Sequence, residues 1–376
     1  MTTHNRQAGK SRVWRGLAAA ACVLLLQQYG IWTSAPEAVQ RSGAGEAPRG
    51  SATGAKRKIV FIAGPVSHAY GSHDHWPGSR LLSQMLHENH PRIEAVVHRN
   101  GWPADPKAFD GAAAIVVYAD GGAKHPVVQH LPEMDAMMKR GVGLVLVHYA
   151  VEVEEATAGQ QFLDWAGGYF KINWSVNPHW LLQAKSLPRH PITRGVRPFE
   201  THDEWYYHMQ FRKGMKGVVP ILTAMPPATS LERPEGPHQN NPHVRAAVLE
   251  RKEPQHVAWA VERADGGRGF GFTGGHWHWN WGHPMQRKLV LNAIAWAAKA
   301  DVPATGIDTP RVTMEQLEEN SEETPPASWL AAQTPAPAVA PAPATGAGGR
   351  AQNLNRAQRA ALLERWHRDF PPAKVR

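Results

Sequence analysis

The residues best able to do chemistry gather in five short runs. The first holds His68, His73, Asp74 and His75, and the second is Asp120. The third is His148-Tyr149, the fourth is Asp203-Glu204 with Tyr206, and the fifth is His276-Trp277-His278-Trp279. Imidazoles and carboxylates serve either as general acids and bases or as ligands of a divalent ion. His73 and His75 form a His-x-His pair, as do His276 and His278; on an extended backbone such a pair projects to one side and can ligate one ion. His73, His75 and His276 are therefore the metal candidates, the plainer outcome being one exposed ring and one ring bonded to a backbone carbonyl. His148 interrupts an apolar run, and with Glu204 and Asp203 it is a candidate acid or base. For the acidic pair the competing role is an ion pair with a nearby arginine. Tyr149, Asp120, His68, Tyr206, Trp277 and Trp279 are candidates for substrate contact. Trp277, Trp279 and Trp281 alternate; on a strand they would make an aromatic wall suited to the C–H face of a sugar ring, and each is equally suited to a hydrophobic corner.

One cysteine, Cys22, occurs in 376 residues, and it lies in the N-terminal apolar run. Internal disulfides, cysteine zinc sites and a thiol nucleophile are excluded from the rest of the chain. No cofactor is named by the sequence; the one it has the side chains for is a divalent metal on His and carboxylate ligands.

These runs sit where strands should end. Lys58 to Ala63, Ile93 to His98, Ala112 to Tyr118 and Gly143 to His148 are apolar runs bounded by turn residues, the pattern of strands buried on both faces. A helix beginning near Ser79, with Leu81, Leu82, Met85 and Leu86 on one face, lies between the first two, and Pro132 to Arg140 precedes the fourth. Gln160 to Trp165 starts another helix. The alternation predicts an α/β fold with a doubly wound, mostly parallel, flavodoxin-like sheet. Ligands of such sheets bind beyond the carboxyl ends of the strands, where the first and third strands flank the switch point. From 173 to 217 the rhythm breaks, and this irregular insertion, with His276 to Trp281, is expected to fold over that edge. Regular structure resumes at Val218 to Thr223, Arg245 to Glu250 and His256 to Val261. Asp265-Gly266-Gly267 then turns the chain into Phe270 to Thr273, and Leu289 to Ala298 is a closing helix.

The net charge of +9 belongs to the two ends. Residues 1–15 carry four basic residues and no acid, and residues 350–376 carry seven basic and two acidic residues, so the chain between is balanced. Nucleic acid is therefore not an expected partner. A basic start followed by the apolar run Leu17 to Leu26 marks residues 1–35 as a secretory signal, or a signal anchor if uncleaved, and the protein as exported, periplasmic or membrane-anchored. Residues 36–56 read as a linker, 57–300 as the main domain, 301–350 as a Pro/Ala-rich linker and 351–376 as a short basic amphipathic helix. That helix carries Leu354, Ala357, Ala361, Leu362, Trp366 and Phe370 at helical spacing. It is expected either to meet a membrane surface or a protein partner or to fold back on its own domain.

Four motifs in order resemble the ThuA-like, or trehalose-utilisation, family. They are Gly141-Val-Gly-Leu-Val-Leu-Val-His148, Arg189-His-Pro-Ile-Thr-Arg-Gly195, His202-Asp-Glu-Trp-Tyr206, and Val257-Ala-Trp-Ala260 leading through Gly-Arg-Gly to Gly275-His276. The resemblance covers about residues 56–300. It implies a fold similar to class I glutamine amidotransferases and a role in carbohydrate metabolism on trehalose-like or keto-sugars. In amidotransferases a cysteine stands at the turn after the fourth strand; here that place resembles His148, so amide hydrolysis is not implied. The expectation is acid/base or metal-assisted chemistry on a small carbohydrate, the alternative being a non-catalytic sugar-binding or envelope interaction module.

Overall fold

The apolar runs become strands because each can bury both faces. A computed structural model describes residues 55–331 and 354–372; the expected signal, the first linker up to residue 54 and the Pro/Ala-rich stretch 332–353 lie outside the described residues. β1 (Arg57–Ala63), β2 (Ile93–His98), β3 (Ala112–Tyr118) and β4 (Gly143–Val147) are parallel, with β1 between β2 and β3. Residues 59–63, 114–118 and 144–147 are 1 % exposed or less, the mark of strands covered on both sides. α1 (His75–Asn89) and α2 (Leu131–Lys139) supply the crossovers, and α3 (Gln160–Ala166) follows β4. α1 starts four residues before Ser79, because the loop ahead of it turns at His73 and Asp74 takes the N-cap position.

The insertion is less irregular than its composition suggests. β5 (Gly168–Tyr169) pairs with β8 (Gln210–Phe211), and β6 (His179–Ala184) pairs antiparallel with β7 (Phe199–Glu204). Trp180, Leu182 and Ala184 are buried while Leu181 is exposed, the alternation of a ribbon lying on a core.

β9 (Val218–Ala224), β10 (Gln255–Glu262) and β11 (Arg268–Phe272) complete a seven-stranded sheet in the order β2-β1-β3-β4-β11-β10-β9. β11 runs parallel to β4, and β10 is antiparallel to both its neighbours. The fold is therefore α/β with a mostly parallel sheet and flavodoxin-like order in its first half. The regular structure expected at Arg245 to Glu250 is helical: α4 (Pro242–Arg245) runs into a π-type turn. α5 (Pro284–Ala297) is buried along almost its whole length against the sheet.

Past α5 the chain does not become a linker at residue 301. Val302, Ile307, Val312, Met314, Leu317 and Trp329 are buried and continuous with the main core, and α6 (Met314–Glu318) and α7 (Ala327–Leu330) form within this stretch. α8 (Arg356–Asp369) folds back on its own domain. Its buried residues are Arg359, Leu363, Trp366 and His367, a stripe turned away from Ala357 and Ala361, which stay exposed. Arg356 fixes that rotation through ion pairs with Glu315 and Glu318. No helix among the described residues is long and apolar enough to cross a membrane.

Candidate metal centre

Four side chains converge beyond the carboxyl ends of β1, β4 and β7. His73 comes from the loop after β1, His148 from the first residue past β4, Glu204 from the last position of β7, and His276 from the loop after β11. His73 Nε2 is 3.0 Å from His276 Nδ1 and 3.1 Å from His148 Nε2. Glu204 Oε2 is 3.1 Å from His276 Nδ1 and 3.5 Å from His148 Nε2, which closes the ring. All four residues are buried and their donor atoms lie within 4.8 Å of one another.

The outer nitrogens decide what the inner ones can do. His148 Nδ1 lies 2.8 Å from the carbonyl oxygen of Thr273 and can only donate to it, so in the neutral ring Nε2 carries a lone pair. His73 Nδ1 lies 3.4 Å from Asp120 Oδ1, which likewise assigns its proton to the outside and its lone pair to the centre. Burial first, then the neighbouring imidazoles of His148, His276, His68 and His75, hold His73 far below the ordinary histidine range, so it is neutral. For Glu204 burial pushes the carboxyl up, but the contacts of His148 and His276 outweigh it and keep the group an anion. Converging lone pairs and one carboxylate repel unless something positive sits among them. Without a cation that is a proton on one ring. Metal–ligand bonds of roughly 2.0–2.1 Å give ligand–ligand edges of about 3.0 Å in an octahedral plane and about 3.4 Å in a tetrahedron. The observed sides, 3.0 to 3.5 Å, match that range. Three imidazoles with a carboxylate suit a first-row divalent ion.

The backbone is bent to make this ring. His73 and His148 have φ of +50° and +55°, values that L residues rarely adopt. Such conformations persist where the surroundings fix them, and they collect at functional sites. The Nδ1 bonds to Thr273 and Asp120 are part of what fixes them here.

The other expected residues divide. His68 stacks on His73 with ring centres 3.6 Å apart, and Asp120 accepts from Ser67 as well as facing His73. The Tyr206 hydroxyl lies 3.2 Å from His148 Nε2, and the ring of Tyr149 is 5.8 Å from that of His73. Trp277 is half-buried, edge-on to His276.

His75 is not in the ring of donors. It opens α1, and its Nδ1 donates to the Pro65 carbonyl, which corrects its assignment as a metal ligand. Asp203 lies beside the centre but is committed elsewhere. Its carboxylate accepts from the backbone N–H of Glu204, Gly275 and Trp277 and from Asn280 Nδ2, at 2.8 to 3.3 Å. It ties the end of β7 to the segment that carries His276, a positioning role in place of acid/base work. Trp277, Trp279 and Trp281 do not form a strand wall, because His278 to Gly282 is a 3-10 turn. Trp279 points away from the centre and stacks on Trp329 at 4.3 Å. His278 is buried with Nε2 on the Leu317 carbonyl.

His179 belongs to the site and was not expected. It sits opposite Glu204 in the β6–β7 ladder, with Nε2 3.9 Å from Glu204 Oε1 and its ring 4.9 Å from that of His276. Burial pushes it down to about 4, with Glu204 opposing. The period-2 run His179 to Ala184 was the available signal.

A family model for trehalose utilisation, ThuA, matches residues 65–297. No curated protein matches the chain. Among solved structures, a ThuA-like protein of Bacteroides uniformis is similar, with 15 % identity and a TM-score of 0.46, over 67 % of this chain and 95 % of that one. Another, from Parabacteroides merdae, shares 16 % identity at a TM-score of 0.43, over 70 % of this chain and all of that one. The family match spans more than half of the chain and includes all four residues of the convergent ring, so the protein is a member of the ThuA family.

Proposed function

We propose that the protein is a metal-dependent enzyme acting on a small carbohydrate or keto-sugar held over the His73–His148–Glu204–His276 ring. The observation that carries this is the pair of outward-facing imidazole N–H groups, on Thr273 and Asp120, which aim the inner lone pairs of His148 and His73 into a buried ring with Glu204. His73, His148, His276 and Glu204 would hold the ion. When bound, such an ion supplies Lewis-acid polarisation of a substrate oxygen. Tyr206 stands against His148, where its hydroxyl can hold or pass a proton. His68, Tyr149 and Trp277 border the ring, and their flat faces suit the C–H side of a sugar. The family's printed description, trehalose utilisation, agrees with a sugar ligand. The basic and apolar N-terminus supports export, which cell fractionation checks.

The test is elemental analysis of the purified full-length chain beside a His73→Ala/His148→Ala variant, followed by a product screen on disaccharides and keto-sugars with the recovered metal. A stoichiometric metal lost in the variant, together with a sugar product, supports the reading. A metal-free wild type that still binds sugar saturably without product would instead make this a sugar-binding module.

A further inference from the structure

A second acid/base pair stands beside the ring. Glu152 follows the short helical turn after β4 and is 2 % exposed. Its Oε1 is 2.9 Å from His238 Nε2. The residue is fixed at both ends of its backbone: its N–H donates to the Tyr149 carbonyl and its carbonyl accepts from Gly122, each at 3.0 Å. Glycine is required for this approach, since a Cβ on Gly121 would lie 2.3 Å from the Tyr149 oxygen and 2.9 Å from Glu152 Cβ. His238 reaches in from the loop between β9 and α4. That loop is tied down by Asn173 N–H to the Pro237 carbonyl (2.8 Å) and Asn177 N–H to the His238 carbonyl (3.0 Å). The His238 ring stacks on Phe170, Phe170 packs edge-on against Tyr206, and Tyr206 touches His148. The pair and the ring therefore share one wall.

The asymmetry of exposure separates this pair from an ordinary surface ion pair. The carboxylate is behind and nearly inaccessible, while the imidazole side chain in front is 34 % exposed. A buried carboxylate is stable only if paired, and its partner holds the charge best as imidazolium. The charged groups facing His238 are Glu152 and Glu204, which favour its protonated form, and Arg233, which opposes; the hydrogen bond to Glu152 dominates and pushes the ring above its ordinary value. With Nε2 engaged, Nδ1 is the nitrogen left for a ligand, as in any base oriented by a carboxylate.

We propose that Glu152 and His238 deliver a proton to the ligand held at the ring. The His238 Nδ1 proton passes to the glycosidic oxygen as its bond to the sugar carbon breaks and the bonding pair goes to that oxygen; water adds at the carbon and the proton it releases restores His238, while Glu152 keeps its bond to Nε2. The substrate class this fits is a glycoside of a sugar or keto-sugar, in which the cleaved bond leaves charge on the glycosidic oxygen. The proposal rests on the metal-dependent reading above.

The test has one arm that needs no substrate. In full-length protein with labelled histidine, the His238 ring is titrated by NMR and assigned with His238→Gln. Wild type should titrate above the ordinary histidine value, and Glu152→Gln should lower it by about one pH unit or more. A ring at or below the ordinary value, or one indifferent to Glu152→Gln, overturns the pair. In the second arm, phenyl and 4-nitrophenyl glycosides and their keto-sugar counterparts are assayed. His238→Gln should slow turnover at least tenfold, more for phenyl than for the better leaving group, and remove the decline of rate as pH rises through the His238 transition. An unchanged leaving-group dependence and pH profile overturn the catalytic role even with the titration intact. A wild type that binds metal but turns over no sugar also overturns it. Absence of metal refutes the ring reading alone, because the titration arm still judges the pair.

Discussion

The two His-x-His stretches start from the same spacing and divide their rings in the same way. His73 and His276 enter the convergent ring, while His75 and His278 bond the carbonyls of Pro65 and Leu317. In each pair the second histidine opens a helical turn, at α1 and at the 3-10 turn His278–Gly282, so the two rings leave the backbone in different directions. They differ in how the inward ring is held. His73 has a carboxylate, Asp120, behind it; His276 is steadied by packing, with Trp277 at 4.5 Å and His179 at 4.9 Å. A spacing rule thus selects candidates, and the backbone conformation between them selects which one faces the site.

The widest break in the comparison should come from exchanging alanine into the two members of a pair. His73→Ala should weaken metal binding by about a hundredfold or more, while His75→Ala keeps a stoichiometric metal. Chelator competition and elemental analysis measure both, and equal losses would erase the distinction. Next in size, Asp120→Asn should cost about 10- to 100-fold in metal affinity with every ligand still present. An unchanged affinity would mean that packing orients His73 as it does His276. His278→Ala removes a buried ring and its bond to Leu317; about 1–3 kcal/mol of unfolding free energy should be lost in denaturant titration, with metal content unchanged. The smallest effect concerns another backbone-tied ring, His125, which donates to the Ala150 carbonyl and is pushed down to about 4 by burial. Its folded state refuses a proton that the unfolded chain accepts below about 6.5. Its stabilising contribution is complete above that pH and fades as pH falls towards 4. His125→Gln should flatten the acid side of the stability curve by on the order of 1 kcal/mol near pH 5, read from thermal midpoints across pH.

The sheet was legible because its parallel strands are unbroken apolar runs, and the strand-end rule then placed His73, Asp120 and His148 at one edge, with Glu204 and His276 expected only on segments folding over it. What composition concealed was the β6–β7 ribbon. Its histidines and prolines suggested a loop, although Trp180, Leu182 and Ala184 alternate, and with the ribbon went His179. Glu152 and His238 were invisible because their pairing joins a turn and a loop 86 residues apart with no local motif. The segment from 301 to 331 looked like spacer because its few apolar residues are scattered; Val302, Ile307, Val312, Met314, Leu317 and Trp329 find places in the core without regular spacing.

The ring draws its members from segments as far as 203 residues apart in sequence. An unfolded chain cannot assemble them, so an ion held there favours the folded state alone. The melting temperature would then depend on free metal by mass action, with a thousandfold excess over the dissociation constant worth about 4 kcal/mol. The insertion, the loop after β1, the end of β4 and the turn after β11 would be stitched by one atom, and a cell's metal supply would set how long this protein survives in it.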